Sequence, residues 1–213
     1  MALSSLVLGM VMSVTASLAK HDSRNYARQV RAEDIRQVSL WLSDALAHAA
    51  PANGTADGQV FEVAKPQKAV FTSALGQVSG GTKLVSRVAI VLGETCWSGV
   101  ADAGTLRRCV QHPVVDPAGN QSYCAHGSGG CPDHLFGETV VARHVTDQPL
   151  FYYSLTQDAD QTVPATSVDD PAKLALIAAV ELRVTVRGEP GSVNEDVEAT
   201  VVKRHAVRGW SRL

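Results

Sequence analysis

The sequence predicts an α+β protein: one long N-terminal α-helix, its apolar half protruding, packed through its second half on an antiparallel β-sheet domain. Three observations predict it. Residues 1–19, MALSSLVLGMVMSVTASLA, contain no charged side chain. Residues 20–50 are charged and amphipathic, and no proline interrupts the chain before Pro51. Beyond residue 50 the text changes to short Val- and Ile-rich runs separated by Gly, Pro, Asp and Asn, the pattern of strands and turns.

The helix has two halves. In residues 1–19 the only polar side-chain atoms belong to Ser4, Ser5, Ser13, Thr15 and Ser17. In a helix such hydroxyls bond back to carbonyls one turn earlier, which makes them tolerable in hydrocarbon. At 1.5 Å per residue this half is ~28 Å long, against ~30 Å for the apolar core of a bilayer. Leu3, Leu6, Val7, Leu8, Gly9, Val11, Val14 and Leu18 are its candidate membrane- or filament-packing residues. In residues 20–50, Val30, Ile35, Val38, Leu42 and Leu46, with Ala45 and Ala49, recur at spacings of three to five and form the stripe expected to pack on the head. Trp41 sits beside that stripe. Charges such as Arg28, Arg31, Glu33, Asp34, Arg36 and Asp44 lie mainly elsewhere, and Pro51, Asn53 and Gly54 end the helix. Unbroken, it would run ~75 Å, far beyond an ordinary globular helix, so half of it must stand clear of any domain.

Residues 51–213 form the β-rich head. Residues 59–63 and 69–75 are short strands around Lys65-Pro66, and 83–92, KLVSRVAIVL, is a stronger one. Residues 105–111 are its expected partner. Residues 112–134 read as a long loop of Pro, Gly, Asn and Cys. Residues 138–145 and 150–155 give two further strands. Asp169-Asp170-Pro171 starts a helical turn with Asp as cap and Pro at the first position. The clearest strand is 180–187, where Val180, Leu182, Val184 and Val186 alternate with Glu181, Arg183, Thr185 and Arg187. That alternation describes one buried and one wet face. Residues 188–194 turn the chain, and 197–207 return as an antiparallel partner.

The four cysteines, Cys96, Cys109, Cys124 and Cys131, are confined to one region of the head and lack the close C-x2–4-C pairs of structural zinc sites. They read as two disulfides holding the 112–134 loop, and disulfides imply an extracytoplasmic head. Three connectivities are open; Cys124–Cys131, closing a Gly-rich loop, is the first choice.

The net charge of −2 leaves no basic footprint for nucleic acid. No catalytic motif is present: H-E-x-x-H, G-x-S-x-G and G-x-x-x-x-G-K-[ST] are all missing. His112, His126, His134 and His144 lie near the cysteines, and Asp158, Asp160, Asp169 and Asp170 form acidic pairs. These patterns read as solvated loops rather than metal sites, so no catalytic residue, metal ligand or cofactor is expected.

Several stretches carry a family resemblance. Ala27-Arg28, Arg31, Leu40, Leu42-Ser43-Asp44-Ala45-Leu46 and Ala49 resemble the helix of minor prepilins of the pilus-assembly W and type II secretion J kinds. Pro149-Leu150-Phe151-Tyr152-Tyr153, an Asp-rich turn, and Ile177-Ala178-Ala179-Val180-Glu181-Leu182-Arg183-Val184 are similar to the closing part of those proteins. The resemblance covers most of the chain and implies a type IV pilin-like fold. It also implies a minor pilin or pseudopilin, partnered by other such subunits and held in the cytoplasmic membrane by a single pass before assembly, with an extracytoplasmic head. The family's basic leader and Phe-x-Leu-x-Glu start are missing, and MALSSLVLGMV looks like the text that follows that start, so the chain is expected to begin inside the family's helix.

An alternative stays open: a secreted or membrane-tethered β-rich binding protein whose apolar start is a signal peptide. Val14-Thr-Ala16 and Ser17-Leu-Ala19 offer small-residue cleavage sites, although no Lys or Arg precedes the apolar run. Lys20, Arg24, Arg28 and Arg31 follow the run, and taken alone they put the following side in the cytoplasm. The cysteines put it outside. Basic residues ahead of Met1 would remove the conflict.

Overall fold

The computed structural model describes residues 2–51, 59–75, 78–79, 82–96, 102–127, 131–146, 148–156, 165–189, 192 and 198–207, with 2–9, 78–79 and 82–83 described as backbone only. Helix α1 runs without a break over Ala2–Ala47, 46 residues, or ~69 Å. Neither proline nor glycine occurs between Gly9 and Ala47, so nothing in the sequence removes a rung of its ladder. Its end is received by the head. The Ser73 hydroxyl donates to the Ala45 carbonyl at 2.7 Å and the Thr72 hydroxyl to the Ala50 carbonyl at 2.6 Å, while Ala74 N–H donates to the His48 carbonyl at 2.8 Å. Carbonyls that a helix end leaves without intrahelical partners are thereby satisfied inside the protein.

The head is mostly antiparallel sheet. β1 (Phe61–Lys65), β2 (Lys68–Ser73), β5 (Ser86–Leu92), β6 (Leu106–Gln111) and β9 (Phe136–Ala142) form a five-stranded sheet in the order β1-β2-β5-β6-β9. β10 (Phe151–Leu155), β11 (Ile177–Val186) and β12 (Ala199–Ala206) form a second sheet in that order. Two small hairpins complete it, β3 (Val78–Ser79) with β4 (Thr82–Lys83) and β7 (Val114–Val115) with β8 (Gln121–Ser122). The strand expected over 83–92 is thus divided between β4 and β5. The 112–134 connection is not irregular throughout: it contains the second hairpin and a 3-10 turn at Asp133–Leu135. Short α2 (Pro171–Leu174) is capped as expected, Asp170 accepting from Ala172 N–H at 3.0 Å with Pro171 at the first position.

After β9 the chain leaves the first sheet for the second. Val145 bridges Val186, Thr146 N–H donates to the Thr185 carbonyl and Arg187 N–H to the His144 carbonyl. The residues expected to extend β9 to 145 therefore serve the other sheet. At this crossing Gly104 has φ +74, and a Cβ there would lie 3.0 Å from the Val145 carbonyl oxygen, so glycine is required on both counts.

One core joins α1 to the inner faces of both sheets. Phe61 and Phe71 pack with tilted rings at 5.5 Å, and Tyr153 of the second sheet meets Phe61 edge-on at 6.3 Å. The buried Tyr153 hydroxyl donates to the Lys65 carbonyl at 3.0 Å, tying β10 to the β1–β2 turn. In β11, Val180, Leu182, Val184 and Val186 are buried as their alternation requires, and β12 pairs with it antiparallel from Ala179↔Ala206 to Val186↔Ala199. On the outer face of the first sheet Val63, Val70, Ala89 and Cys109 occupy one row of the register, and Val70, Ala89, Val91 and Cys109 form a second, smaller apolar cluster.

Candidate functional site

The exposed length of α1 is the feature to explain. Ile35, Val38, Leu42, Ala45, Leu46 and Ala49 are buried against the head, where each large side chain contributes roughly 1.5–3 kcal/mol. Before Ile35 the helix stands free of the core: Met10, Val11, Met12, Val14 and Leu18 are all more than half exposed. Thr15 bonds back to the Val11 carbonyl and, at 3.3 Å, to that of Met12, the local satisfaction its hydroxyl needs in an apolar setting. Leu3, Leu6, Val7, Leu8 and Gly9 belong to the same helix, but their side chains lie outside the described residues. Among the described residues no helix is long and apolar enough to cross a membrane; the apolar text extends through residues 2–9, of which only the backbone is described.

One member of the expected head-packing stripe is corrected. Val30 is 44% exposed. The step from Val30 to Ile35 is five residues, about 140° around a helix with 3.6 residues per turn, so the two cannot share a face. Ahead of Ile35 the partly buried positions are Arg31, Ala27 and Arg24, four, eight and eleven residues before it, on the face that the helical period continues.

The cysteine pairing is Cys96–Cys109 and Cys124–Cys131, with Cα separations of 5.7 and 5.8 Å. The first bridge fastens the β5–β6 connection to the outer apolar cluster; the second closes the short loop chosen from the sequence. The 112–134 excursion is tied down. Tyr123 donates to the Val85 carbonyl at 2.8 Å, Val85 N–H donates to Gln121 at 2.9 Å, and the Gln111 amide donates to the Cys124 carbonyl at 2.6 Å. Burial, with Glu62 nearby, pushes the Tyr123 phenol up to about 12. His126 lies edge-on to Phe136 at 4.8 Å.

The chemistry available here is modest. Ser86 Oγ and His112 Nδ1 lie 3.0 Å apart, but Ser86 is fully buried, so the pair fixes the loop and presents no nucleophile. Burial, followed by the charge of His134, holds His112 below the ordinary imidazole range. Among the described residues no group of three His, Cys, Asp or Glu is placed to hold a metal ion. Asp170 caps α2 and Asp169 accepts from Ser167 at 3.1 Å; Asp158 and Asp160 lie outside the described residues.

Sequence reading missed two contacts between helix and head. Arg108 lies over the Trp41 ring at 4.9 Å. Its signal was parity: Arg108 pairs with the core residue Ile90 and so shares the face that α1 covers. Buried His205 on β12 meets buried Ser39 on α1, Nε2 to Oγ, at 3.4 Å. A groove of about 450 Å³ opens beside α1 between Arg31 and Asp34 on the helix and Arg143, His144 and Arg187 on the head.

Comparison with protein families and with curated proteins returns no match to this chain.

Proposed function

We propose that the protein is a structural and assembly subunit of a type IV pilin-like filament, a minor pilin or pseudopilin of a type IV pilus or type II secretion system. One observation carries this reading: an unbroken helix leaves a disulfide-braced β head and holds its apolar side chains in solvent. A soluble monomer gains nothing from that arrangement, whereas a subunit that exchanges lipid for neighbouring helices needs it. In the cytoplasmic membrane the stalk is solvated by acyl chains. In the filament it packs on other stalks through dispersion and close approach at small residues such as Gly9 and Ala16, because acyl chains and Leu are equally apolar. The extracytoplasmic location of the head agrees with its two disulfides. Its partners are other pilin or pseudopilin subunits, and its role requires no cofactor.

The test is membrane retention of the full chain. Val14→Asp places a carboxylate on the apolar stalk, which costs roughly 2.5–3.5 kcal/mol on insertion scales. Retention should fall on the order of a hundredfold, while both disulfides and the head remain intact. Equal retention of parent and variant would remove the membrane-anchoring role. A mature N-terminus at Ser17 or Lys20, read by mass spectrometry, would make the protein a secreted binding protein instead.

A further inference from the structure

We infer that β12 is a docking edge: an extended segment of a partner protein adds to it as a further strand, and that segment reads apolar–acidic–acidic–apolar. The inference goes beyond the filament reading and does not depend on how the stalk is anchored. β12 ends the order β10-β11-β12, so one side of it has no neighbouring strand. Val207 N–H donates to the Ala178 carbonyl at 2.9 Å, which continues the register Ala179↔Ala206 by one rung. Along an antiparallel strand, residues alternate between bonding their neighbour and aiming their backbone groups away from it. Ala199, Val201, Lys203 and His205 therefore bond β11, and the N–H and C=O groups of Thr200, Val202, Arg204 and Ala206 point off the sheet. Those groups have no other hydrogen bond among the described residues. The strand is eight residues long, regular in register and free of proline, so of the devices that blunt an exposed edge it carries charge alone.

The edge opens on a groove of about 390 Å³, walled by Leu40, Ser43, Asp44 and Ala47 of α1 and by residues 203–206 of β12. A strand laid along it would lie against two large apolar side chains now in solvent, Leu40 at 50% and Val202 at 58% exposure. Main-chain pairing then supplies the affinity, and alternate side chains supply the choice of partner.

Charge selects the occupant. Lys203 and Arg204 are exposed and make no ion pair among the described residues. Glu181, opposite Arg204 on β11, is engaged by Arg183, and Asp44 on the groove wall lies 3.3 Å from His48 Nδ1. A second copy of β12 would bring two more cations and no acid, since Ala199–Ala206 contains none, and like charges placed opposite each other destabilise a strand pair. The occupant instead sets carboxylates opposite Lys203 and Arg204. It sets apolar side chains at the flanking positions, one opposite Val202 and one opposite His205 on the side facing α1. The order apolar–acidic–acidic–apolar is the same in either chain direction, so it serves parallel and antiparallel addition alike.

The test is fluorescence anisotropy of a labelled peptide, Thr-Thr-Val-Glu-Glu-Val-Thr-Thr with blocked ends, titrated with the full chain in detergent. The peptide should bind, and the same peptide with Lys in place of Glu should not. Lys203→Gln/Arg204→Gln should weaken binding about tenfold through the loss of two cross-strand charge pairs. Lys203→Glu/Arg204→Glu should reverse the preference and take the Lys peptide. Two versions of the Glu peptide, N-methylated at alternate residues along one edge or the other, probe the backbone: one should bind as the unmethylated peptide does, and the other should fail. Equal binding of these two versions overturns strand addition. Equal binding of the Glu and Lys peptides overturns the charge selection, and no binding of the Glu peptide overturns the whole proposal. Sedimentation of the full chain decides against or for a second copy: dimers that the Glu peptide dissociates would make β12 a self-interface and overturn the proposal too.

Discussion

At the scale of single residues, the helix–head joint is held by groups whose charge state matters. His205 is buried on β12 against Ser39 of α1, with Lys203 two positions away and Asp44 and Arg204 on the rim of the same groove. Burial first, and the Lys203 charge second, hold its imidazole below the ordinary 6.5. The folded protein therefore keeps His205 neutral, while the unfolded chain takes up the proton near 6.5. Between those two values the unfolded state binds more protons, so stability rises with pH there. It is complete above 6.5 and falls as the solution is acidified through 6.5 toward the folded value. His112, lowered in the same direction by burial and by His134, adds a second contribution of the same sign. Urea unfolding over a pH series should give a shallower acid limb for His205→Gln than for the parent, with the part due to His112 remaining. Parallel curves would assign the acid sensitivity to other groups.

At the scale of elements, the two disulfides are not equivalent. Their sequence separations are 13 and 7, and loop-closure entropy grows so slowly with length that the two differ little on that count. Surroundings separate them. Cys109 is fully buried among Val70, Ala89 and Val91, while the Cys124–Cys131 bridge is partly exposed. Replacing Cys96 and Cys109 by Ala should cost about 3 kcal/mol from the lost cross-link alone, plus the packing lost around Cys109. Replacing Cys124 and Cys131 by Ser should cost less, because no comparable apolar cluster surrounds that bridge among the described residues. Denaturant midpoints at unchanged m-value check the order.

At the scale of the molecule, stalk and head divide the work. Every core residue that α1 contributes among the described residues lies at Ile35 or beyond. A chain beginning at Arg28 keeps that whole stripe, together with Ser73 and Thr72 at the far end of the helix. Its thermal midpoint should stay within about 4 °C of the parent, the shift expected for under ~1 kcal/mol, and it should no longer associate with membrane. A collapse of the midpoint on truncation would show that the exposed stalk supports the head.

The sequence by itself determined what local periodicity and chain connectivity can encode. The unbroken helix follows from the missing breakers, the wet and dry faces of β11 from strict alternation, and the cap of α2 from Asp170-Pro171. Val30's place off the stripe belongs with these local features, because a five-residue step changes helix face. The candidate site was legible to the same extent, as an apolar stalk read directly from uncharged text. The tertiary structure alone decided features that depend on residues far apart in the chain. It chose one cysteine pairing of three by bringing Cys96 over the register row of Cys109. It sent the chain from one sheet to the other at Val145 through a close approach to Gly104. It set Arg108 on Trp41 and His205 on Ser39, contacts whose partners are remote in sequence and meet only when the strands have found their register. Local text fixes which face of an element is apolar; which surface covers that face is settled only by packing.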